Sequence, residues 1–127
     1  MIKIAFWKKE VLDLICHISD KSYQEVAWFG KDKKIVSSIE ELYCRLYDDL
    51  LFETFLNSNE VQLNSKQKRL GKRLLMELNK FDRIFSENFI NPKIVINHPL
   101  WIEIREVAKQ FLFEMSYPCP SPKSSQK

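Results

Sequence analysis

The chain has 127 residues, of which 45% are hydrophobic and 29% charged, with nine Phe, three Trp and four Tyr; this excludes a disordered polymer and bounds the answer to one domain with a sizeable core. A net charge of +3 is too mild to announce a nucleic-acid or membrane protein by itself. Only two glycines occur, whereas sheet-rich folds of this size need more turn glycines, so composition favours helices with short connections.

From Ile2 to Ile18 the apolar residues Phe6, Trp7, Val11, Leu14, Ile15 and Ile18 recur every three or four positions, which predicts an amphipathic helix. "DKSYQEVAWFG" follows, with Ser22 and Glu25 spaced as a capping box and Gly30 placed as a helix stop, predicting a short second helix. "KDKKIVSS" reads as a loop, and Ser38 with Glu41 forms a second capping box that starts a helix running to about Asn57. Ser65 opens a long helix whose stripe is Leu70, Leu74, Leu78, Phe81, Phe85 and Phe89. Gly71 lies on that stripe and implies close approach of a neighbour or a kink. "KIVI" is the one candidate strand and is too short to carry a sheet. Pro99 fits the first residue of a last helix, "PLWIEIREVAKQFLFEM". The expectation is an all-α fold: a compact bundle of four main helices and one short one over residues 1–116, followed by a flexible Pro/Ser-rich tail at 117–127.

Cys16, Cys44 and Cys119 are odd in number and widely spaced, which reads as reduced thiols in a reducing compartment. The apolar N-terminus is broken by Lys8, Lys9, Glu10 and Asp13, unlike a signal peptide, and no segment approaches a membrane span. A cytoplasmic location without membrane association is expected.

The residues give little support to catalysis. Cys16 and His17 are adjacent, but neighbours on a helix point about 100° apart, so they form no nucleophile–base pair. His98 beside Pro99 fits a helix start. Glu40, Glu41, Asp48, Asp49 and Glu53 suggest a magnesium site only if a second acidic helix faces them, and the next helix is basic. There is no Glu-x-x-His pair and no Gly-rich phosphate loop. No catalytic residue, metal ligand or cofactor is therefore assigned.

Charge is more informative. Residues 39–63 hold six acids and one base, a net of −5, while residues 64–80 hold six bases and one acid, a net of +5. On one continuous helix, Ile39, Tyr43, Leu46 and Leu50 face the bundle, while Glu41, Asp48, Phe52 and Phe55 fall opposite. Aromatics interleaved with carboxylates on an outward side suit a protein partner, with Glu41, Asp48, Asp49, Phe52, Glu53 and Phe55 as contact candidates. The competing reading caps Phe52 and Phe55 with another helix and pairs the acids with the basic helix.

The stretch "AWFGKDKKIVSSIEELYCRLYDDLLFETFL" resembles the small immunity proteins of contact-dependent growth inhibition and related polymorphic toxin systems. The resemblance implies a non-catalytic bacterial protein that binds and blocks a cognate toxin domain, often a nuclease. It carries over no individual residue roles. Two alternatives stay open: a nucleic-acid-binding module using the basic helix 66–83, and a metal-dependent helical hydrolase. The oligomeric state is not legible.

Overall fold

The computed structural model describes residues 3–28, 39–87 and 95–119, and in them the chain is all-α. Helices α1 (Ile4–Ser19) and α2 (Lys21–Trp28) are separated only by Asp20. The Asp20 carboxylate accepts the Tyr23 backbone N–H at 3.0 Å and so caps α2, two residues ahead of the Ser22–Glu25 box read from sequence. Gly30 and Ser38 lie outside the described residues. The middle of the chain consists of α3 (Ile39–Cys44), a π turn (Arg45–Asp49) and α4 (Phe52–Asn57).

The long helix α5 (Ser65–Glu87) begins with a reciprocal box one residue earlier than Ser65. Asn64 accepts the Gln67 N–H at 2.8 Å, and Gln67 accepts the Asn64 N–H at 2.9 Å. The last helix, α6 (Pro99–Glu114), starts at the predicted proline, and His98 Nδ1 accepts the Leu100 N–H at 3.1 Å. His98 is thus a cap.

Packing follows the predicted stripes. Helix α6 lies against both α1 and α5, burying Trp101, Ile104, Val107, Ala108 and Phe111 completely. Val11, Ile15 and Ile18 meet it from α1, and Leu74, Leu78 and Phe81 from α5. Gly71 serves close approach: a Cβ there would overlap Leu56 Cδ2 and stand 3.1 Å from Phe111 Cε1. A buried amide locks three helices together. Gln24, fully buried on α2, donates to the carbonyls of His17 and Ile18 at 2.9 and 2.8 Å and accepts Trp101 Nε1–H at 3.1 Å. All its polar atoms are then occupied, which is what burial of an amide requires.

Two readings of the sequence need correction. Val95 and Ile96 of "KIVI" are helical and buried, with the buried Arg105 guanidinium donating to the Ile96 carbonyl at 2.8 Å, and no strand occurs among the described residues. The cysteines are not all free thiols. Cys16 and Cys119 form a disulfide across 103 residues, leaving Cys44 exposed and unpaired. The bond reaches into the segment read as tail, and the Tyr117 hydroxyl reinforces it by donating to the Asp13 carboxylate. Burial and that carboxylate push the Tyr117 phenol up to about 12.

Candidate functional site

The segment read as one helix from Ile39 to Asn57 is broken, and the break decides which side chains reach solvent. The first turns behave as expected: Ile39, Leu42, Tyr43 and Leu46 are buried, and Tyr43 donates to the Leu78 carbonyl at 2.8 Å. Burial holds the Tyr43 phenol well above its ordinary pKa. The hydrogen bonding then widens by one residue, with Leu50 N–H donating to the Arg45 carbonyl at 2.8 Å. Leu51 adopts the left-handed region at φ 52°, and α4 restarts at Phe52.

The restart turns Phe52, Phe55 and Leu56 inward, to 1%, 0% and 1% exposure. Phe52 sits edge-on to Phe111 at 6.4 Å, and Phe55 edge-on to Trp7 at 5.4 Å. The two phenylalanines read as outward partner contacts are therefore core residues. Magnitudes account for this. Burying three such side chains contributes about 2 kcal/mol each, whereas one left-handed leucine costs about 1–2 kcal/mol. The break also frees the Leu50 carbonyl, which accepts Trp7 Nε1–H at 2.6 Å.

The carboxylates stay outside. Glu41 on α3, Asp48 and Asp49 on the π turn, and Glu53 on α4 are all exposed. Arg45, in the same segment, pairs at 3.5 Å with Glu10 of α1. The basic helix pairs elsewhere: Arg73 with Glu103 at 2.6 Å, Lys66 with Glu114 at 3.1 Å and Lys80 with Glu77 at 3.8 Å. Among the described residues, Asp48, Asp49 and Glu53 make no ion pair with α5. The capped aromatics of the competing reading are thus found, whereas its pairing with α5 is not found for Asp48, Asp49 and Glu53 among the described residues.

Asp48 and Asp49 also sit in the last turn of the α3–π segment, where backbone carbonyls concentrate negative charge. Acids there oppose the helix dipole by about 0.3–1 kcal/mol each. The one nearby acceptor role is weak: the Cys44 thiol lies 3.7 Å from Asp48 Oδ2. Loss of solvation, then the Asp48 and Asp49 carboxylates, push that thiol above its ordinary pKa, the opposite of an activated nucleophile. No group of three or more His, Cys, Asp or Glu side chains among the described residues is placed to hold a metal ion.

Glu53 belongs to a second feature that sequence reasoning missed. It lines a cleft of about 530 Å³ between α4 and α5, with Asn57 beside it and Lys72, Asn79, Lys80 and Arg83 opposite. Leu56, Leu75 and Met76 are its apolar lining. Asn79 is fixed by the Tyr47 hydroxyl, which donates to its side-chain oxygen. Its α4 wall, Glu53, Leu56 and Asn57, follows directly on the left-handed Leu51, which no breaker residue signals.

No helix among the described residues is long and apolar enough to cross a membrane. No family model, curated protein or solved structure matches the chain.

Proposed function

We propose that this protein is an immunity-type inhibitor that binds and neutralises a cognate toxin domain, a nuclease in the leading case, through the acidic ridge Glu41, Asp48, Asp49 and Glu53. The observation that carries the reading is the placement of Asp48 and Asp49. They are exposed, lack an ion pair among the described residues, and oppose the dipole of their own helical segment. Such residues do little for the fold, and a cationic partner surface is the environment that would favour them. A nuclease site is cationic because it holds phosphates, so an acidic ridge is steered to it and occupies it. The immunity-protein resemblance of residues 27–56 points the same way.

Phe52 and Phe55 drop out of the contact set. Leu51, 47% exposed at the break, takes their place as the apolar group beside the acids. The nucleic-acid reading of residues 66–83 keeps less support, because Glu103 and Glu114 neutralise Arg73 and Lys66. A cytoplasmic site of action belongs to the same proposal, and the Cys16–Cys119 bond bears against a strictly reducing one. Co-expression with the toxin domain encoded immediately upstream tests the function. Restored growth and co-purification of the two proteins are expected; a toxin that kills at unchanged potency contradicts it.

A further inference from the structure

We infer that the cleft between α4 and α5 is a docking groove for an acidic amphipathic helix of a partner protein. The inference stands apart from the toxin reading, since it rests on the cations of α5 and shares only Glu53, at the border, with the acidic ridge. Along α5 the groove residues Lys72, Met76, Asn79 or Lys80, and Arg83 recur at intervals of three and four, which places them on one face. From Lys72 to Arg83 that face extends about 16 Å, at 1.5 Å per residue, or three turns.

The chemistry of the groove selects its occupant. Met76 is 51% exposed, although it sits among cations on a helix with a fully buried opposite side. Leu75 and Leu56 continue the apolar strip beneath it. Of the three cations, Lys72 and Arg83 make no ion pair among the described residues, and Lys80 has only a long contact of 3.8 Å to Glu77. The occupant therefore presents an apolar stripe with carboxylates along the side that faces α5, away from Glu53.

A helix lying along α5 keeps register with these cations, because both rise by the same distance per residue. An extended strand advances roughly twice as far per residue and loses register within a few residues. Glu53 on the facing wall disfavours a continuous phosphate backbone, and none of the described groove residues carries an aromatic ring on which bases could stack. Groove recognition of an amphipathic helix combines these same ingredients, apolar anchors and flanking charges.

The test uses the full chain labelled with ¹³C at its methionine methyl groups, so that Met76 reports from the groove and Met115 from the fold. The probe is an acetylated helical peptide of about 12 residues, long enough for three turns, built from Glu, Leu and Ala with a leucine stripe bordered on one side by glutamates. Saturable movement of the Met76 signal with Met115 unmoved is expected. Lys80→Glu combined with Arg83→Glu should weaken binding by at least ~10-fold, as should Met76→Asp. Circular dichroism of each variant verifies that the fold is retained, which exposure of all three positions favours. A scrambled peptide of the same composition that binds as tightly overturns the proposal. So does an unmoved Met76 signal, or tighter binding of single-stranded oligothymidine at the same groove.

Discussion

A leucine at φ 52° is uncommon because its Cβ crowds the neighbouring carbonyl, yet Leu51 holds that angle between two runs of buried side chains. The strain persists because it places Phe52, Phe55 and Leu56 in the core. Replacing Leu51 with glycine removes the Cβ penalty and should raise stability by about 0.5–1 kcal/mol, after allowing for the greater freedom of unfolded glycine. Urea melts of Leu51→Gly and Leu51→Val read this directly; a destabilised glycine variant would mean that the exposed side chain contributes more than the strain removes. A second residue-scale consequence concerns His17, which stacks on Tyr23 at 4.0 Å. Desolvation, then the Arg45 charge, lowers its pKa below 6.5, against smaller opposing effects of Asp13 and Asp20. The folded state thus takes up its proton later than the unfolded chain as pH falls. This contribution to stability is full above the ordinary imidazole pKa and is lost as pH falls through it toward the folded value. Stability should decline between pH 7.5 and 5 in the wild type and decline less in His17→Gln, as measured by urea midpoints.

At the scale of elements, the sequence is readable wherever a local rule operates. Pro99 marks the start of α6, Ser65 that of α5, and the Leu74–Leu78–Phe81 stripe is buried as its spacing requires. Caps are less legible, because Asp20 and Asn64 compete with Ser22 and Ser65 one or two positions away. No local rule marks the break at Leu51. It contains neither glycine nor proline and arises from tertiary burial outweighing backbone preference. The only signal was an apolar surplus, since an unbroken helix would leave two phenylalanines in water. Gln24 is another tertiary feature: a single glutamine joins α1, α2 and α6. Gln24→Leu strands the Trp101 N–H and leaves the His17 and Ile18 carbonyls without the amide, and should lower stability by about 2–3 kcal/mol. Chemical denaturation checks this, and a change below about 0.5 kcal/mol would contradict the hub.

For the molecule as a whole, fold class followed from two glycines and helical periodicity, whereas the covalent connection between its ends did not. Cys16 and Cys119 are too far apart in sequence for spacing to suggest a pair, and become partners only when α6 returns the chain along α1. Folding also separates what composition nearly cancels. Glu41, Asp48, Asp49 and Glu53 stay exposed, and two cations of α5 are taken up by α6. The result is a ridge of one sign beside a cleft of the other, with Glu53 on the border. The central claim is that the ridge exists for a partner and not for the fold. The most direct measurement is calorimetric titration of the cognate toxin domain with the Asp48→Lys, Asp49→Lys double variant, beside its urea melt. The account predicts affinity reduced by at least ~100-fold, chiefly through lost charge complementarity, with stability unchanged or slightly raised because lysines suit a helix C-terminus. Unchanged affinity, or a variant that unfolds, would contradict it.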